Sequence, residues 1–283
     1  MKFRVSCELD YTLDGPASFL FALKCMKSPG QRVLGESLVT NPVIPLEEFI
    51  ITGGMNRLFR IRTINPGLLR VVYHAEVRTS PLTVSAGQLE TRAPGDLEPD
   101  AIPFLFPSRY CQSDRLRQLA QELFGHIGTT HGIASAVSAW ISGNIAYVPG
   151  SSGESCSAMD TVHQRQGVCR DFAHLGISFC RALNVPARYV TCYAHRLDPR
   201  DFHACFEVLI GGSWHVFDPT RLAPLNGLVR IATGRDAADA AICTIFGNPM
   251  LTRSFVSCQC ADLDFIPLTH EDLARCDLSL VLS

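Results

Sequence analysis

Hydrophobic and polar positions change their rhythm once along the chain. Up to about residue 107, apolar residues fall in short runs with partial alternation, the period of a half-buried strand. Such runs lie at Phe3 to Tyr11, Ser18 to Leu23, Val33 to Val39, Asn56 to Thr63 and Leu68 to Val77. Turn-forming groups separate them: Ser28-Pro29-Gly30, Gly53-Gly54 and Asn65-Pro66-Gly67. Short strands at this spacing predict an antiparallel sandwich. Residues 91 to 107 are rich in proline, glycine and acidic side chains and read as a linker that excludes helix. After Ser113 the apolar spacing becomes helical. Ser113-Asp114 is placed to cap a helix bearing Leu116, Leu119, Ala120 and Leu123, a second helix fits Ile133 to about Ile145, and a short one fits Ala158 to Gln164. The chain therefore divides into an N-terminal β domain, 1–107, and a mixed helix–sheet domain, 108–283.

The composition narrows the function classes. Twenty-five Lys and Arg balance 27 Asp and Glu, so no basic surface is offered to nucleic acid. A hydrophobic fraction of 47% excludes a disordered chain. No apolar run reaches the ~20 residues of a membrane helix, and charges interrupt the first eight residues where a signal peptide needs an apolar block. A cytoplasmic protein is the expectation, with no membrane and no nucleic acid among its partners. Twelve cysteines are present, but no CxxC, and the close pair Cys258-Gln259-Cys260 has no second pair to complete a zinc site. Neither a disulfide framework nor a metal is expected, and most of the cysteines sit in apolar runs as small packing side chains.

The chemistry concentrates between Gly167 and Pro219. Phe172, Leu175, Gly176, Phe179, Cys180 and Leu183 form one helical stripe that ends before Asn184-Val185-Pro186. Cys169 lies off that stripe at the helix start, where free N–H groups and the helix dipole favour a thiolate. Cys180 lies on the stripe and reads as core. Strands follow at Arg188 to Ala194, His203 to Ile210 and Ser213 to Asp218, the last two joined by the two-residue turn Gly211-Gly212. That turn pairs Ile210 with Ser213 and sets Asp218 opposite Cys205. His203 is then on the same face and diagonal to Asp218, within reach of its carboxylate. A one-residue slip would separate them. A helix-start Cys with a strand-borne His and Asp is the composition of a thiol triad. Turn geometry alone does not bring Cys169 to His203.

The run Gly167-Val168-Cys169-Arg170-Asp171-Phe172-Ala173-His174-Leu175 resembles the nucleophile motif of the bacterial transglutaminase-like superfamily. Pro186-Ala187-Arg188-Tyr189-Val190 is similar to the strand that follows it there, Phe217-Asp218-Pro219-Thr220 to the third motif, and Gly234 to Asp239 to a downstream segment. The resemblance is strongest over residues 155 to 250. It implies an α+β fold in which the β-sandwich-like domain precedes a papain-like core, with a Cys-bearing helix packed on an antiparallel sheet. It further implies that Cys169 is the nucleophile, His203 the general base and acid, and Asp218 the carboxylate that orients the imidazole. Where the family usually reads His-Ala-Trp, this chain has His203-Ala204-Cys205. A smaller side chain thus replaces an expected aromatic lid, which bears on substrate preference.

The implied reaction is thiol acyl transfer on a peptide or protein substrate, with no cofactor. The triad is the same whether water or an amine resolves the thioester, and hydrolysis is the expectation because bacterial members are read as cysteine proteases. A transglutaminase or deamidase, and a non-catalytic peptide-binding member, are the competing readings. The Cys169 N–H supplies one oxyanion donor. Asn144, Tyr147, Gln164 and Gln166 are the candidates for the second, and the sequence does not choose among them. Asp171 is read as a carboxylate bonding nearby backbone, His174 as structural, Arg188 as the partner of an acidic group, His215 as facing away from the triad, and Trp214 as packing.

Overall fold

A computed structural model describes residues 1–50 and 54–282; Gly53, half of the expected Gly53-Gly54 turn, lies outside them. Six strands open the chain: β1 (Lys2–Leu13), β2 (Ala17–Phe21), β3 (Gln31–Asn41), β4 (Glu47–Ile50), β5 (Arg57–Thr63) and β6 (Gly67–Thr79). In β1 the alternate residues Phe3, Val5, Cys7, Leu9, Tyr11 and Leu13 are buried, as a strand with one face on a core requires. Tyr11 on β1 meets Phe19 on β2 with ring centroids 5.0 Å apart, and Phe21 stacks on Phe59 of β5 at 5.1 Å. The first contact joins two antiparallel sheets face to face, the expected sandwich, and the second is a cross-strand pair within one of them.

β7 (Leu82–Ser85) leads into the proline-rich stretch, and here the structure corrects the expectation of no helix. Residues Pro94–Asp96 and Pro99–Leu105 form 3-10 turns. Proline is tolerated at the first position of a helical turn because its missing N–H would be unpaired there anyway. Phe104 from the second turn packs edge-on against Trp214 at 5.1 Å.

Then come α1 (Arg117–Phe124), α2 (Thr130–Asn144), β8 (Ala146–Tyr147), α3 (Ala158–Gln164), β9 (Gln166–Gly167) and α4 (Cys169–Ala182). α1 begins four residues later than Ser113, because Ser113 to Leu116 closes as a turn. α2 begins three residues earlier than Ile133, where the Thr129 hydroxyl accepts the Gly132 N–H at 3.2 Å. The apolar stripe marks the buried face, and the cap, not the stripe, marks the start.

The remaining elements are β10 (Ala187–Ala194), β11 (His203–Ile210), β12 (Ser213–Phe217), β13 (Leu228–Gly234), β14 (Cys243–Phe246), β15 (Met250–Cys260), α5 (His270–Arg275) and β16 (Leu278–Val281). The central sheet runs β13-β10-β11-β12-β16-β7, and α4 packs on it so closely that Gly176 lies against the Phe206 ring. Strands cross position 107 in both directions: β14 pairs with β2 and β15 with β1, while β7 joins the central sheet through β16. One hydrophobic cluster runs through sandwich, helices and central sheet, and a second, smaller one lies where Val190, Cys192, Cys205 and Val216 meet Leu225, Leu228 and Leu273. Among the described residues no helix is long and apolar enough to cross a membrane.

Candidate active site

Three elements end at one place. α4 starts there with Cys169, β11 starts there with His203, and Asp218 follows the last residue of β12. The hairpin that holds the last two has the expected register. Gly211 and Gly212 both have positive φ, 57° and 88°, and Ile210 pairs with Ser213 through to Phe206 with Phe217. Glycine takes both angles without strain, and their twist matches that of the strands.

The start of α4 is tied down from several sides. The Asp171 carboxylate accepts the Val168 N–H at 2.8 Å and the Ser152 hydroxyl at 2.9 Å. Arg170 donates to the Ser152 hydroxyl at 2.8 Å and to the Gly153 carbonyl, so the Ser/Gly loop is lashed to the first helical turn. Upstream, Tyr147 and Gly167 form a parallel bridge, and Val148 N–H donates to the Gly167 carbonyl at 3.0 Å. A side chain at Gly167 would collide with Asp171, its Cβ 2.7 Å from that of the aspartate.

His203 and Asp218 form a fully buried pair with Nε2 and Oδ2 2.6 Å apart. Asp218 is held on its other side. Its Oδ1 accepts the Thr220 N–H at 3.0 Å and the Thr220 hydroxyl at 2.7 Å, and its own backbone N–H donates to His270 Nε2 at 3.2 Å. That contact fixes His270 as a neutral ring with its proton on Nδ1, and burial lowers its pKa accordingly. Burial alone would strip the proton from His203, but the charge and hydrogen bond of Asp218, then Cys169, outweigh it and hold the ring well above its ordinary value. Asp218 shows the mirror effect: burial raises it, and His203, then the Thr220 hydrogen bond, bring it below the ordinary carboxylate value. With Nε2 committed to Asp218, Nδ1 is the ring nitrogen left open, and it has no hydrogen-bond partner among the described residues. The structure thus pairs His203 with Asp218 and sets Cys169, at the start of α4, within electrostatic reach of the imidazole.

Other side chains fall where the sequence reading set them. His174 is buried between Tyr110 and Tyr189, and its Nε2 accepts the Ala237 N–H at 3.1 Å. Arg188 forms a buried pair with Glu207 at 2.6 Å, under Trp214. His215 bonds Ser279 at 2.8 Å, away from Asp218. Cys205 departs from the idea of a lid position. It is fully buried in the smaller cluster beside Cys192, on the sheet face turned away from α4, so it packs beneath the carboxylate and borders no open cleft. The sequence reading missed Thr220 and His270. A hydroxyl two residues after an aspartate is a recognisable local-turn signal. Nothing near His270 in the sequence foretells it, because its contact with Asp218 spans 52 residues.

A family model described as the transglutaminase-like superfamily matches residues 117–219, and one for the bacterial transglutaminase N-terminal domain matches residues 1–92, together more than half of the chain. A solved structure of a candidate cysteine protease from Cytophaga hutchinsonii is 46% identical, covering 100% of this chain and 98% of that one, with a TM-score of 0.97. The chain belongs to the transglutaminase-like superfamily. A further member of this similarity group, an uncharacterized protein of Mycobacterium leprae (strain TN), is 34% identical over 116 residues, which span 38% of this chain and 41% of the relative. The superfamily's expected order of elements, a sheet-rich N-terminal domain before a Cys-bearing helix on an antiparallel sheet, is the order seen here.

Proposed function

We propose that the protein hydrolyses a peptide or amide bond through a thioester on Cys169. The observation that carries this reading is the buried His203–Asp218 pair at 2.6 Å beside the first residue of α4. The ring's preference for its charged form favours taking the proton of the Cys169 thiol. The thiolate attacks the carbonyl carbon, and the carbonyl oxygen takes the negative charge. His203 returns its proton to the departing amine as the C–N bond breaks, leaving a thioester. Water then attacks that thioester and gives a proton to His203; the C–S bond breaks, the carboxylic acid leaves, and the thiol is restored. Asp218 holds the ring orientation throughout, with Thr220 fixing the carboxylate and His270 accepting the Asp218 backbone N–H. Hydrolysis is preferred over amine transfer because the full-length solved relative is described as a candidate cysteine protease.

The test is an unbiased library of proteome-derived peptides incubated with the protein, with and without a labelled primary amine. New peptide termini that vanish in Cys169→Ala and in His203→Ala are expected. Amine incorporation without new termini would replace hydrolysis by transglutamination. No product of either kind, with iodoacetamide labelling Cys169 no faster than other accessible thiols, would overturn the acyl-transfer reading.

A further inference from the structure

A thiol mechanism needs two donors for the developing oxyanion, and only the Cys169 backbone N–H follows from the helix start itself. Of the candidate side chains, the Asn144 amide is spent on the Trp140 carbonyl at 2.8 Å, and Gln164 and Gln166 are exposed. Tyr147 is different. Its ring lies against the first turn of α4, and its hydroxyl faces the Cys169 backbone and lies within the electrostatic reach of the Cys169 thiol and of the Asp201 and Asp218 carboxylates. The ring is held by the bridge from Tyr147 to Gly167 and by Phe172, whose ring centroid is 5.8 Å away.

We infer that the Tyr147 hydroxyl is the second oxyanion donor, standing in the unliganded protein beside the place where the substrate's carbonyl oxygen will sit. An incoming carbonyl oxygen accepts the Cys169 N–H, and the neighbouring hydroxyl turns its own hydrogen toward that oxygen. Burial first, then the negative neighbours around Cys169, push the Tyr147 pKa up to about 12, so the group remains a donor across the neutral range. Tyr147 is in this account a catalytic residue, since it touches the reacting carbonyl. The inference rests on the acyl-transfer reading of Cys169.

The experiment compares wild type with Tyr147→Phe, which removes the hydroxyl and keeps the ring. Two rates are measured: turnover of the fastest-cleaved library peptide, and alkylation of Cys169 by iodoacetamide, a displacement that builds no oxyanion. Loss of one such donor lowers kcat by about 10²–10³-fold. The expected result is that loss of kcat with KM and the alkylation rate each within threefold of wild type. A kcat within threefold of wild type would overturn the inference while leaving the thiol mechanism standing. Alkylation slowed as much as turnover would overturn it too, by moving Tyr147's role to the thiol itself. If wild type turns over no peptide and labels Cys169 unselectively, the acyl-transfer reading falls and this inference with it.

Discussion

Replacing Gly176 by alanine tests whether the catalytic geometry depends on how tightly α4 sits on its sheet. A Cβ at Gly176 would lie 2.4 Å from Cε1 of Phe206, 2.7 Å from Cδ1 and 2.9 Å from Cζ. Ordinary carbon contacts start near ~3.5 Å, so helix or ring must yield by about 1 Å. The ring has nowhere to go: Phe206 is fully buried and stacks on Phe217 at 5.7 Å. Overpacking of this kind costs about 1–3 kcal/mol, while alanine recovers about 1 kcal/mol of helix propensity over glycine. The net loss is up to about 2 kcal/mol, read as a fall of up to a few degrees in Tm. The larger effect falls on chemistry, because α4 carries Cys169 and an ångström of misplacement costs about 10² in rate. Selective alkylation of Cys169 should slow together with peptide turnover, and Phe206→Leu in the same chain should restore part of both. Gly143→Ala on α2 is the control. Nothing lies within 4 Å of its Cβ, so it should gain up to about 1 kcal/mol in a urea titration. A Gly176→Ala protein that melts no lower than wild type, with unchanged Cys169 alkylation, would refute the reasoning.

Two further changes probe the sheet. Glu207 is buried between Arg188, at 2.6 Å, and Arg230, at 3.3 Å, so Glu207→Gln removes the charge that neutralises two buried guanidiniums. The expected loss is about 3 kcal/mol in urea unfolding, and a loss under about 1 kcal/mol would contradict it. His215 is buried beside Ser279, and burial, then the nearby His131, brings its pKa down to about 4 from 6.5. The unfolded chain therefore takes up a proton near pH 6.5 that the folded chain refuses until about pH 4. Stability should fall as pH drops through that window, by up to about 3 kcal/mol for this group. His215→Gln should flatten the difference between urea midpoints at pH 7 and pH 4.5; an undiminished difference would reject His215 as its source.

Much of the site was legible because its parts are close in sequence. The Gly211-Gly212 turn sets the register of the hairpin, and the register carries His203 and Asp218 to the same end of the sheet. Helical periodicity separates Cys169 from Cys180. What could not be read depends on distant chain. His270 reaches Asp218 from α5, the returns of β14 and β15 are set by sandwich packing, and Tyr147 is singled out only once α4 is seated beside β8. The fate of Cys205 was readable in principle, since alternation along β11 places it with Val190 and Val216, but the family's Trp at that position drew attention to the wrong surface.

β1 and β2 are made early, yet each waits for a neighbour, β15 and β14, that is made only after the entire hairpin bearing His203 and Asp218. Until then β1 and β2 lie at open sheet edges, as β3 and β4 do, the condition under which chains join to one another through their backbones. A chain made in this order therefore has the His203–Asp218 hairpin in hand before β14 and β15 exist to cover β1 and β2. The same topology sets how the protein should be handled. A fragment ending after the proline-rich stretch would lack the closing strands and would be expected to self-associate, and supplying residues 243–260 as a separate peptide is the direct way to quench that association.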